Sequence, residues 1–253
     1  MTGLLLEGFV ALVSGGSRGI GKAISLRFAK AKSHLFINFY QNRSAAEKTA
    51  EEASSLGATV HLLQADLKDA AQIRGIFKEI NRVCGSLDVL VHSAASGVLR
   101  SILEVTGKHW DWVMNTNARS LLLCAREAAS MMREGGRIIS LTSIGSGRVV
   151  PQYGSVGVSK AALESLTRYL AAELAPRGIT VNAVSAGAVA SEVWDLLPDG
   201  QEILDKIRKN TPAGRLLTPE EIAEIVFFLV SPDARMIQGQ VIVVDGGYSL
   251  LAS

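Results

Sequence analysis

"VALVSGGSRGIGKA", residues 10–23, decides how the rest of the chain is read. An apolar β-type run passes straight into a glycine-rich turn and then into a segment with helical apolar spacing. Gly15, Gly19 and Gly21 lie between the two. In that setting one glycine permits a tight turn, a second lets backbone approach a phosphate, and a third lets the helix pack on the strand. The helix amino terminus then holds the anion, with Ser17, Arg18 and Ile20 completing the loop. Three glycines alone are weak evidence; the strand before and the helix after supply the confirming context.

The pattern repeats outward from that turn. Strand-like runs occupy 9–15, 34–40, 59–66, 87–94, 136–143, 179–187 and 240–247, and segments with 3.6-residue spacing occupy 19–32, 44–56, 70–84, 108–132, 156–175 and 219–230. Strand then helix, repeated, predicts an α/β fold: a single Rossmann-type, doubly wound parallel sheet with helices on both faces. No linker, low-complexity segment or repeat interrupts 9–247, so one domain is expected over residues 1–253. The least regular stretch, 188–218, mixes helical pieces with Pro, Gly and charge. It follows a late strand, where ligands bind, and is expected to be a substrate lid.

Composition narrows the function. The 253 residues are 48% hydrophobic and carry 26 Lys and Arg against 24 Asp and Glu, so no charge excess draws the chain to nucleic acid or an anionic membrane. No stretch approaches the roughly 18 apolar residues that span a bilayer. The start carries Glu7 and no basic leader, so it reads as a first strand instead of a signal peptide. Cys84 and Cys124 lack metal-like spacing and read as buried free thiols, for which the cytoplasm is the expected setting.

Which dinucleotide fits is a question of charge. NAD enzymes of this architecture end the second strand with an acid that grips the ribose, and that carboxylate would repel a 2′-phosphate. Here the strand ends "INFYQNRS", with no acid. Arg18 in the loop and Arg43 past the strand either pair with a phosphate or are solvated surface arginines. The expectation is NADPH.

With these residues in place, the chain resembles the short-chain dehydrogenase/reductases over nearly its whole length. The glycine spacing, the acid of "QADL" (Asp66, followed by Leu67), Asn117 in "MNTNARS", Ser143 in "SLTS", Lys160 and the closing "VDGG" stand in the family's order. That resemblance implies adenine binding near Asp66 and Leu67, nicotinamide near Ser93, Ala94, Gly187 and Val189, and a homotetramer. Three segments depart from the usual pattern: "HSAAS" at 92–96, "SAG" at 185–187, and Val156 where the family tyrosine would stand. Tyr153 instead precedes Lys160 by seven positions, a Tyr-x6-Lys spacing similar to the enoyl-acyl-carrier-protein reductases, and diffuse likeness is strongest to the class called enoyl-ACP reductase III. The resemblance implies reduction of the C2=C3 bond of a trans-2-enoyl thioester, bound to acyl carrier protein or CoA, in fatty acid biosynthesis.

The spacing has a physical reading. If the helix extends to residue 153, seven residues advance about 700°, so Tyr153 and Lys160 share a face roughly 10 Å apart. An enoyl thioester takes hydride at C3 while charge develops on the thioester oxygen several bonds away, so its donor must be displaced from where a ketone reductase holds it. Ser143 either assists Tyr153 or ends a strand, and Asn117 either supports Lys160 through water or bends its helix. His92 is expected to pack, not to act as an acid, and His109, Trp110 and Trp112 to line a packed helix face. Lys206, Arg208 and Lys209 read as a solvated face or as a contact for an acidic carrier. Two other functions remain open: a 3-oxoacyl or other carbonyl reductase, and a non-catalytic dinucleotide sensor.

Overall fold

Burial on both faces favours strands with long apolar runs, and seven strands form the sheet among the described residues. The computed structural model describes residues 7–190 and 199–251. Its strands are β1 (Val10–Ser14), β2 (His34–Phe39), β3 (Thr59–Gln64), β4 (Val89–His92), β5 (Arg137–Ser143), β6 (Thr180–Ala186) and β7 (Val241–Val244). They form one parallel sheet in the order β3-β2-β1-β4-β5-β6-β7. The order reverses between β1 and β4, and at such a point a crevice opens beyond the strand carboxyl ends.

Alternate strand residues feed two cores. Ala11, Val13, Leu35, Ile37, Val89 and Val91 pack beneath α1 (Gly19–Ala29) and α8 (Pro219–Val230), with α2 (Arg43–Ser55) beside them. Val10, Leu12, Phe36, Leu90 and Ile138 pack on the other face beneath α3 (Ala70–Cys84), α5 (Ser120–Met131) and α6 (Gly154–Leu174). This is the doubly wound arrangement expected of the alternating pattern.

The helices depart from expectation in four places. The helix predicted over 108–132 is divided into α4 (Gly107–Met114), a π-turn (Asn115–Arg119) and α5, because one extra residue per turn shifts the apolar register. Trp112 is correspondingly exposed, against the packed role predicted for it, and Val113 is the buried residue of α4. α6 begins at Gly154, so Tyr153 is its N-cap with φ −98° and ψ 5° and lies off the helical spiral assumed for it. The segment 188–218 contains a three-turn helix, α7 (Gly200–Asn210), while its residues 191–198 lie outside the described residues. On α7 the basic cluster is a solvated face: Lys206 pairs with Glu202 at 2.7 Å and Arg208 with Asp205 at 2.9 Å. Cys124 is buried and Cys84 half-buried, both as free thiols.

Candidate active site

The glycine turn is built for a ligand to lie on it. Gly15 and Gly19 have φ of +63° and +52°, which side-chain-bearing residues rarely adopt. A Cβ on Gly21 would stand 2.2 Å from the Gly15 carbonyl oxygen, so only glycine lets α1 start against the turn. A Cβ on Gly19 would meet nothing within 4 Å, so open space lies over the loop. Arg18, the N-cap of α1, supplies no side-chain cap, which leaves first-turn N–H groups for an anion. Ser17 is buried, and its carbonyl accepts from Thr49 Oγ1 at 3.1 Å, tying the loop to α2; Ile20 is half-buried against the core.

Neighbouring strand ends meet this turn. Ser14 Oγ accepts from the N–H groups of Ser93 and Ala94 at 3.1 and 3.2 Å, clamping the end of β1 to the loop after β4. A Cβ on Gly15 would be 2.9 Å from Ala94 Cα, so the two segments are in contact. Asp66 accepts from the Lys68 N–H at 2.9 Å and pairs with its ammonium at 3.3 Å, and Leu67 is buried in the core. Arg18 is exposed. Arg43 donates to Gln64 Oε1 at 3.1 Å, stands 3.7 Å from Glu47 and lies 5.5 Å over the Phe39 ring, so its guanidinium is steered by neighbours that the sequence reading did not consider. Gly187 has no room for a side chain, since its missing Cβ would sit 2.8 Å from Asp245 Cβ, in the turn after β7. Val189 is buried and bridges to Leu217.

At the end of β5 the structure brings three candidates together. The Tyr153 hydroxyl is 3.3 Å from Ser143 Oγ, and Lys160 Nζ donates to the Leu141 carbonyl at 2.8 Å, two residues back along the same strand. Val156, at the position where the family tyrosine would stand, is buried and presses on the loop after β4, where a Cβ on Gly97 would be 2.4 Å from Val156 Cγ2. Burial raises the Tyr153 pKa, outweighing the opposing bond to Ser143, so the phenol keeps its proton at neutral pH. Burial also pushes the Lys160 ammonium down to about 8, partly offset by Glu164 one turn along α6.

Asn117 and His92 have other work. The Asn117 side chain accepts from Ser96 N at 2.8 Å and donates to Ser96 O and Ser159 Oγ, both at 2.9 Å. Its amide is spent on protein, so it positions the loop after β4 and the residue before Lys160. His92 Nε2 is 2.7 Å from Ser120 Oγ, whose own hydroxyl donates to Thr116 O in the π-turn, so the histidine carries its proton on Nε2. Burial, aided by the Lys160 charge, drives its pKa to about 3, which suits packing and not acid catalysis. Tyr40 and Tyr169 are exposed and stand clear of this cluster.

Several residues that shape the site escaped the sequence reading. Asn38 Nδ2 donates to Leu63 O and Ala65 O and fixes the chain entering Asp66. Ser25 Oγ donates to Gly16 O beneath the turn. Small polar residues within apolar runs were the available signal for these and for Ser14.

Fold and site together define a nicotinamide-dependent oxidoreductase. The family model described as "Enoyl-(Acyl carrier protein) reductase" matches residues 15–249. A 1-cyclohexenylcarbonyl-CoA reductase of Streptomyces collinus is 37% identical over 249 residues, covering 96% of this chain and 88% of that one. A hydroxynaphthalene reductase-like protein of Metarhizium brunneum is 34% identical over 254 residues, covering 96% and 95%. The crystal structure of a short-chain dehydrogenase from Burkholderia cenocepacia in complex with NADP superposes with a TM-score of 0.89 at 33% identity, covering 97% and 99%. The chain belongs to the short-chain dehydrogenase/reductase family.

Proposed function

We propose that this chain is an NADPH-dependent reductase of the C2=C3 double bond of an enoyl thioester carried on CoA or acyl carrier protein. The observation that carries the reading is the placement of the phenol: Tyr153 stands ahead of α6 and beside Ser143, while a buried valine fills position 156. The cofactor preference rests on the acid-free end of β2 and on Arg18 and Arg43, and the NADP-bound structural relative supports it. The likeness to enoyl-ACP reductases, and the relative whose name describes a cyclohexenylcarbonyl thioester, support the substrate class.

The β1–α1 turn, Arg18 and Lys160 would hold the reduced nicotinamide dinucleotide, which would supply hydride at C3. Charge then develops on the thioester oxygen, where the Tyr153 O–H donates a hydrogen bond that strengthens as the enolate forms. Ser143 Oγ, 3.3 Å from that hydroxyl, is the second donor within reach of the same oxygen. C2 takes its proton from the phenol through the enol or from water, and solvent reprotonates Tyr153. Charged Lys160, on α6 seven residues after Tyr153, favours negative character at the phenol oxygen.

A carbonyl reductase is the second reading. It is favoured by the Tyr153–Ser143 pair, which also suits a ketone oxygen, and by the hydroxynaphthalene reductase-like relative. NADPH oxidation with crotonoyl thioester against acetoacetyl thioester separates the two. Preference for the enoyl substrate, lost in Tyr153→Phe while NADPH still binds, is expected; activity on the ketone alone refutes the enoyl reading, and a Tyr153→Phe variant as active as the parent removes Tyr153 from the mechanism.

The rest of the proposal concerns setting. The continuous sheet supports one domain; the lid expected over 188–218 includes residues 191–198, which lie outside the described residues. A homotetramer is supported by exposed Leu122, Val158, Tyr169, Phe228 and Val243 on α5, α6, α8 and β7. A cytoplasmic setting agrees with the two free thiols, and fatty acid biosynthesis rests on the enoyl-ACP reductase likeness.

A further inference from the structure

We infer that Gly145 and Gly157 are positioning residues: they form the seat on which the Tyr153 ring lies, and so fix where the phenol oxygen stands. The inference rests on the reading of Tyr153 as the donor. It begins from two glycines whose backbones do not need to be glycine. Neither has a φ in the left-handed region, so an alanine could adopt either conformation. What excludes it is space. A Cβ at Gly145 would lie 2.6 and 2.7 Å from Cδ1 and Cε1 of the Tyr153 ring, inside any tolerated carbon contact. A Cβ at Gly157 would lie 2.5 Å from the Gly145 carbonyl oxygen and 3.7 Å from the same ring edge. Gly145 thus carries the ring, and Gly157 lets α6 close down on Gly145.

The ring has little freedom to escape this seat. At its backbone, Tyr153 N donates to Val150 O at 3.1 Å, and Tyr153 O accepts from Gly157 N at 2.7 Å. At its tip the hydroxyl faces Ser143 Oγ at 3.3 Å. The helix that follows is pinned by Val156 against Gly97, where no Cβ would fit. A methyl group added at Gly145 therefore tilts the ring and carries the hydroxyl off its place, and a displacement of about 1 Å can cost about 100-fold in rate. The tyrosine's early position and the two absent side chains are one device: a phenol three residues ahead of position 156 reaches the end of β5 with its Cδ1–Cε1 edge set against Gly145.

The test is a double-mutant cycle read in steady-state kinetics with crotonoyl thioester. Gly145→Ala is expected to lower kcat about 10-fold or more while leaving NADPH affinity, measured by nucleotide fluorescence, unchanged. In a Tyr153→Phe background the same substitution should add no further loss, because the hydroxyl it displaces is already gone. A merely structural role would lower kcat equally in both backgrounds, and that result, or full activity of Gly145→Ala, overturns the inference. If Gly145→Ala fails to bind nucleotide, Gly157→Ala, which acts on the Gly145 carbonyl, is carried through the same cycle with the same two outcomes. Full activity of Tyr153→Phe would instead overturn the donor role itself, and that failure is distinct from failure of the seat.

Discussion

Acidification should destabilise this protein well before its carboxylates titrate, because His92 is locked neutral in the core. Its pKa is about 3 when folded, against an ordinary 6.5 when the chain is unfolded and exposed. The unfolded state therefore binds a proton that the folded state refuses, so stability is intact above 6.5 and falls as the pH drops below it. Each pH unit below 6.5 costs about 1.4 kcal/mol, giving a loss of about 2 kcal/mol at pH 5. His61, whose pKa is also lowered, first by burial and then by His34, adds in the same direction. With a urea dependence of about 3 kcal/mol per molar for a chain of this size, the denaturation midpoint should fall by about 0.7 M between pH 7.5 and pH 5. Urea unfolding followed by circular dichroism at the two values makes the measurement, with His92→Asn as the control. That variant starts less stable, since it loses packing and the bond to Ser120, yet its midpoint should depend much less on pH. A parental midpoint that does not move, or a variant with an undiminished pH slope, would refute the argument.

Two further outcomes concern activity. Lys160 titrates near 8 and acts in its charged form, so kcat/KM should be level in neutral solution and decline as pH rises through about 8; a pH–rate profile level to about pH 10 would contradict this. Arg18→Ala should raise KM for NADPH about 10- to 100-fold, the worth of a charge-assisted bond, while leaving NADH kinetics nearly unchanged. Equal losses with the two nucleotides would show that Arg18 does not read the 2′-phosphate.

The sheet was legible because β1, β2 and β4 are buried almost throughout, which leaves their sequences mostly apolar, and because β5 and β6 keep apolar residues between their buried polar ones; the glycine turn was legible because its spacing answers a covalent geometry. Features set by space between distant segments were not. Gly145 and Gly157 look like loop and helix weakeners in the sequence, and only the ring of Tyr153 gives them a reason. The π-turn at 115–119 was hidden because the apolar residues on either side each keep helical spacing, with a slip of phase between them. α7 was obscured by charges that pair along its own exposed face. The start of α6 was misplaced because "YGSVG" carries no conventional cap, and none is present at Tyr153. Of the named site residues, Tyr153, Ser143 and Lys160 gather at the end of β5, Gly187 stands against the turn after β7, and Asn117 braces Ser96 and Ser159.

The amide of Asn117 joins three pieces of chain that are far apart in sequence: the π-turn, Ser96 and Ser159. Ser96 lies in the loop after β4, which runs on to exposed Leu99, Ile102 and Leu103, and Ser159 immediately precedes Lys160 on α6. The loop after β4 and the helix that carries Lys160 are therefore riveted to a common plate. A force that pries that loop outward works first against the two bonds to Ser96 and reaches the lysine's helix only through the third, to Ser159, so the load passes to α6 through a single amide.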